Sequence, residues 1–388
     1  MRRIIFKDEI HFALEKSKLS NTSKDLILTT LFENPFDNSK QYSLKSGIKS
    51  WSQVEELIRK AISDNDVTPA LRRIFMVDDD LPIPRELRFK FLNNENIAVF
   101  VGAGASRIMG YPSWDVLANR SIEYLLRQEY INYFDKSRII SEIKNPKEKL
   151  TIFHEIISKE KAKSFYENNF KKEKDINPYK TLVKFDWIKI TANIDGEFYK
   201  ALGEYYLSAQ KEITQLGKVE SEASFPSEIK RPRRITSGFN RDTSIDFNTI
   251  YQIHGSIENI ENAVITTRDY IKTYYSADSG VRDFLEKIFQ YYTVLFIGYG
   301  LQELEILENL TKQDRQHYAL QGTYLGEQNL FKIKKQYLKT LNIIPIPFYL
   351  DFDEYKRQID VLDSWHKEII AMRNIDYYQQ VKQIDKLL

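Results

Sequence analysis

Two apolar runs govern what this chain can fold into. Residues 97–105 read IAVFVGAGA and residues 293–301 read TVLFIGYGL. Each is about half of the ~20 residues that a membrane span requires, and each runs into glycine. A short β-branched run that stops at glycine reads as a buried strand followed by a tight turn. Runs of the same texture recur at Trp187–Thr191, Thr249–Ile253, Ala263–Thr266, His317–Leu320 and Ile343–Tyr349. Between them, helical periodicity is visible at about 114–127, 135–145, 149–169, 279–290, 301–312, 327–340 and 352–370. Strands alternating with helices predict an α/β fold built on a mostly parallel, doubly wound sheet.

The remaining sequence sets the boundaries. Residues 1–90 carry helical periodicity and little else, with Ser52 and Glu55 spaced as a capping box, before Pro82 and Pro84 interrupt the pattern ahead of a short helix from Arg85 to Leu92. We therefore expect an N-terminal helical region over 1–90, a nucleotide-binding α/β domain over 91–370 and a C-terminal tail, 371–388, of helical pattern. Residues 207–248 are polar and read as a long irregular loop. The N-terminus meets Asp8 and Glu9 before any apolar stretch develops, which argues against a secretory signal and for a cytoplasmic protein.

Composition excludes several kinds of chemistry. With 388 residues, 42% of them hydrophobic, the chain can bury a sizeable core. Lys and Arg total 57 against 55 Asp and Glu, a net charge of +2, so no overall field draws the protein onto nucleic acid or an anionic membrane. There are no cysteines, which removes disulfides, thiol nucleophiles and thiolate zinc sites together. No metal is expected.

Four short segments carry polar or glycine-rich chemistry at predicted strand ends. Gly102-Ala103-Gly104-Ala105-Ser106 follows the first strand, where glycines let backbone approach a pyrophosphate and a helix start favours negative charge. Arg107 occupies the place of the third small residue of a dehydrogenase fingerprint, so an ordinary dehydrogenase motif is not met and a plain strand-to-helix turn is the alternative. Thr191-Ala192-Asn193-Ile194-Asp195 puts an amide and a carboxylate at the next strand end, suited either to a ligand crevice or to capping a helix near Gly196. His254-Gly255 ends a third, and a neutral imidazole there could serve as general base. Gly298-Tyr299-Gly300 closes the fourth, with Glu303 and Glu305 placed where acidic residues suit a helix dipole.

Taken as an ordered set, these segments resemble the sirtuin-like superfamily over about residues 92–350. GAGAS with GYPSW is similar to the GAGxS and GxPxF pair, TANID to TQNID, HG to the His-Gly motif and IGYGL to the late GTSL-type loop. The resemblance implies a Rossmann-type sheet and NAD+ as substrate. It also implies that Gly102, Ala103, Gly104 and Ser106 hold the pyrophosphate and Asp195 the nicotinamide side. Asn193 and His254 would be catalytic, and Gly298 and Gly300 would line the adenosine side. The chain departs from the deacylases in lacking the four zinc-binding cysteines, in Ala192 where the motif has Gln, and in Trp114 where it has Phe. What remains resembles the sirtuin-like NAD hydrolases of bacterial antiviral defence, which implies hydrolysis of NAD+ to ADP-ribose and nicotinamide, homo-oligomers, and a HerA-type ATPase or other sensor as partner; residues 1–90 are the candidate for oligomerisation or partner contact. Two other readings fit the same residues: a non-catalytic NAD or ADP-ribose binding scaffold, and an NAD-dependent protein-modifying enzyme. The basic run Lys230, Arg231, Arg233 and Arg234 is expected to face solvent.

Overall fold

The computed structural model describes residues 4–17, 19–49, 51–62, 67, 71, 81, 83–93, 95–217, 231–312, 314–324, 327–350 and 356–385. They fall into two compact units. One draws on residues 1–82 with 322–334 and 347–357, the other on 83–321 with 335–346 and 358–388.

In the first unit the helices Lys7–Lys16, Asn21–Leu31 and Trp51–Ala61 bury Ile10, Leu14, Ile27, Leu31, Val54 and Ile58, in keeping with their helical spacing. The unit is not all helix, as the periodicity implied. Strands β1 (Ile4–Phe6), β2 (Phe32–Glu33) and β3 (Gln41–Leu44) make an antiparallel sheet in the order β1-β3-β2. At two to four residues they are too short to register as an alternating pattern. The third helix begins at Trp51, which places Ser52 inside its first turn, and the Glu55 carboxylate pairs with Arg59 at 2.7 Å.

The second sheet contains β4 (Ile97–Val101), β5 (Ile188–Thr191), β6 (Arg233–Ile235), β7 (Thr249–Gln252), β8 (Thr293–Ile297), β9 (His317–Thr323) and β10 (Ile343–Tyr349) in the order β10-β9-β8-β4-β5-β7-β6. Every pairing from β6 through β9 is parallel. The residues of β4, β5, β7 and β8 are buried throughout, as a sheet covered by helices on both faces requires. This is the α/β, Rossmann-type architecture expected.

Four local expectations are corrected. Ala263–Thr266 is not a strand: β7 already pairs with β5 on one side and β6 on the other, so no edge beside it is open. The segment instead passes from a 3-10 helix, Ile257–Asn262, into a capping box in which Thr266 and Asp269 start the helix Thr267–Tyr270. The supposed loop 207–248 contributes the end of the helix Glu197–Gly217 and the edge strand β6. The predicted helix 149–169 is two, Pro146–Ile156 and Lys159–Asn169, with the Ser158 hydroxyl capping the second. Finally, one helix, Lys356–Asp385, runs across the expected boundary at residue 370. Among the described residues no helix is long and apolar enough to cross a membrane.

Candidate functional site

From β4 the chain builds outward through β5 to β7, then returns to lay β8 against the other side of β4. Ligands of open α/β sheets bind at the carboxyl ends of strands where the winding reverses, here between β4 and β8. Both glycine loops stand at that point, and they touch. The Gly102 N–H donates to the Ile297 carbonyl at 2.9 Å and the Gly104 N–H to the Gly298 carbonyl at 2.7 Å. A Cβ on Gly102 would fall 2.6 Å from the Tyr299 Cα, and one on Gly104 would fall 2.8 Å from the Gly298 Cα. Gly298 adopts a φ of 59°, open chiefly to glycine. These three glycines thus let two loops close on one another, and the amides of Gly102 and Gly104 are already engaged. Gly300 differs, since a Cβ there would meet nothing closer than the Gln302 side chain at 3.9 Å.

Beneath this junction lies a buried polar network. The Asn193 amide donates to the Gly102 carbonyl at 2.8 Å and to the Ser106 and Tyr179 hydroxyls, both at 2.9 Å. Ser106 donates to Asp195 Oδ2 at 2.6 Å and lies 3.1 Å from the Tyr179 hydroxyl. Asp195 Oδ1 accepts the Glu197 N–H at 3.0 Å, so this carboxylate both caps the helix Glu197–Gly217 and anchors Ser106. Burial pushes the Asp195 carboxyl up from its ordinary range, against the Ser106 and Glu197 hydrogen bonds that favour its ionised form. Gln252 fixes the turn by donating to the carbonyls of Asn193 and Asp195 at 2.7 and 2.9 Å. Ala103, Ser106, Tyr111, Trp114, Asn193 and Asp195 line a cavity of 20 Å³, room for about one water. Tyr179 carries no signal in the sequence, whereas Tyr111 and Trp114 belong to the GYPSW segment.

His254 occupies a second cluster. Its side chain is wholly buried, with Nε2 2.7 Å from the Tyr274 hydroxyl and 3.8 Å from Glu303 Oε2, and the Tyr270 ring is packed edge-on. Nδ1 makes no hydrogen bond of good geometry. Burial, and then the charge of Lys147, push the imidazole down to about 3, so it is neutral. Burial acts oppositely on Glu303, whose carboxyl is raised to about 7. The resemblance implies that Asn193 and His254 act at one point, yet their side chains share no hydrogen-bond partner, and His254 is not among the cavity's lining residues. Although β5 and β7 are neighbours, with Thr191 opposite Gln252, the chain past that pair carries Asn193 toward Gly102 and His254 into the tyrosine cluster.

Residues 188–346 match the family model of the SIR2-like domain. The matched span starts at β5 and includes Asn193, Asp195, His254, Gly298, Gly300 and Glu303, while the Gly102–Ser106 loop precedes it. No match was found among curated proteins. The similarity supports an activity on NAD. The groups around the cavity, the Tyr111 and Trp114 side chains with hydroxyl, amide and carboxylate groups, suit that dinucleotide.

Proposed function

We propose that the chain is an NAD+ glycohydrolase, converting NAD+ and water to ADP-ribose, nicotinamide and a proton. The observation that carries this reading is the buried Ser106–Asn193–Asp195 network lining a cavity at the switch point, in a chain whose residues 188–346 are similar to the SIR2-like domain. The bond from the ribose anomeric carbon to the nicotinamide nitrogen breaks, its electron pair leaves with nicotinamide, and water supplies the new C–O bond. Nicotinamide is a neutral leaving group, so the work left to the protein is orientation and stabilisation of an oxocarbenium-like ribose. In this reading Asn193 and Ser106 orient the ribose, Gly102, Ala103 and Gly104 follow the pyrophosphate, Gly298 and Gly300 border the adenosine side, and neutral His254 accepts the water's proton.

We extend the proposal to NAD depletion as the effector step of an antiphage system, with self-association through residues 1–90 and a HerA-type ATPase or another sensor as trigger. The test is nicotinamide release by the purified full chain, alone and with the product of the neighbouring gene. General-base catalysis contributes about 10²–10⁴-fold, so His254→Gln should lower turnover by that factor with an unchanged far-UV spectrum. Asn193→Ala should abolish release. Wild-type protein that releases no nicotinamide in either condition, or variants as active as wild type, would overturn the reading. The separation of the Asn193 and His254 networks favours one alternative, a binding scaffold, and tight NAD+ binding without turnover would establish it.

A further inference from the structure

Three buried polar atoms around His254 lack a hydrogen bond of good geometry. His254 Nδ1, Tyr299 Oη and Glu303 Oε2 are each sealed from solvent, and none closes a hydrogen bond of good geometry, although Glu303 and Tyr299 face one another. Native interiors leave few such groups, and those left call for an explanation. Glu303 occupies the N-cap position of the helix Leu304–Thr311, and its side chain makes no cap bond there. It turns inward instead, bringing Oε2 to 3.8 Å from His254 Nε2.

The other groups facing this pair come from several elements. Lys147 lies 3.5 Å from the centre of the Tyr270 ring and pairs with Glu305 at 2.9 Å. Tyr274 holds His254 Nε2, and Tyr299 stands beside Glu303. The only carboxylate within 4 Å of the imidazole is Glu303, among the described residues. A fully buried imidazole next to the Lys147 charge is a poor proton acceptor, and the Glu303 carboxylate 3.8 Å away is the group placed to favour its protonated form once ionised.

We propose that Glu303 is a positioning residue that shares a proton with His254, its carboxylate making the imidazole basic enough to accept a proton from the attacking water. The inference rests on the glycohydrolase reading. Water forms its bond to the anomeric carbon as the nicotinamide bond breaks; the water's proton moves to His254 Nε2 in place of the Tyr274 hydrogen bond there, and passes from the imidazolium to the Glu303 carboxylate. The proton then leaves from Glu303, whose Oε2 is sealed while its side chain as a whole keeps 18% exposure.

The experiment compares wild type, Glu303→Gln and Glu303→Asp by nicotinamide release between about pH 5.5 and 9, with histidine-labelled NMR of the same proteins and His254→Gln to assign the signal. Wild-type turnover rises as Glu303 ionises near neutrality, and the His254 resonance shifts with the same midpoint. Glu303→Gln lowers turnover by on the order of 10²–10³-fold, as expected for loss of a charge at this distance, and removes both the acid limb and the shift. Glu303→Asp keeps an ionising group and so retains the limb. A Glu303→Gln protein with wild-type turnover and an unchanged limb overturns the proposal, as does a His254 resonance indifferent to the substitution. If wild type releases no nicotinamide, the glycohydrolase reading falls, and the NMR titration alone decides whether the pair shares a proton.

Discussion

Replacing Ser106 with Ala tests the network at its most connected atom. Ser106 Oγ donates to Asp195 Oδ2 at 2.6 Å, accepts from Asn193 at 2.9 Å and lies 3.1 Å from the Tyr179 hydroxyl, all among buried groups. Asn193 retains the Gly102 carbonyl and Tyr179 as acceptors, but Asp195 Oδ2 loses the hydroxyl that donates to it. An orphaned buried acceptor costs ~1–3 kcal/mol, and a carboxylate lies at the upper end, so we expect a loss of about 3 kcal/mol at neutral pH. The pH dependence follows from the direction of the Asp195 shift. A carboxyl raised on folding binds more protons folded than unfolded, so stability falls as pH climbs from its unfolded value through its folded one. Removing the Ser106 hydrogen bond, which favours the ionised form, raises the folded value further and deepens that fall. The deficit of Ser106→Ala should therefore be smaller in mild acid than at neutral pH. Urea denaturation followed by far-UV circular dichroism at both pH values measures it. A variant as stable as wild type, or one whose deficit grows toward acid, would refute the reasoning.

The other predictions concern packing. Gly298→Ala should cost at least ~2 kcal/mol in thermal or urea melts, because an L-residue at φ 59° pays ~1–2 kcal/mol and its Cβ would lie 2.6 Å from the Ala105 nitrogen. Gly300→Ala, in the same loop with open space, should stay within about 0.5 kcal/mol, so any loss of NAD turnover in that variant reports contact with ligand rather than stability. Lys189 is buried in β5 and donates to the carbonyls of Phe185, Trp187 and Phe247 at 3.0, 2.9 and 2.9 Å; Lys189→Met should destabilise by roughly 3 kcal/mol or more. Burial holds the Lys189 ammonium down to about 8 from 10.5, so this group adds stability as pH rises through that window, and Lys189→Met should lack the rise.

The site was legible where chemistry follows the chain and illegible where it crosses it. Ser106, Asn193 and Asp195 stand at strand ends beside glycine, and the fold brings all three to one cavity. Tyr179 joins them from a four-residue helix with no pattern to mark it. Glu303 was visible only as an acidic residue suited to a helix start; its inward turn depends on what the tyrosines and His254 leave open. The glycines of the first loop suggested a phosphate cradle, yet in the fold their missing side chains are required by Gly298 and Tyr299.

Local pattern alone specified the parallel α/β sheet, because a strand buried on both faces must be apolar along its length and must end where glycine permits the turn. It also excluded thiolate chemistry, through composition. Tertiary structure decided which polar groups meet. Asn193 and His254 extend from neighbouring strands, but the packing around each gives the amide a hydroxyl and carboxylate network and the imidazole a neighbouring acid, and no periodicity along a chain encodes which distant side chain fills a given space.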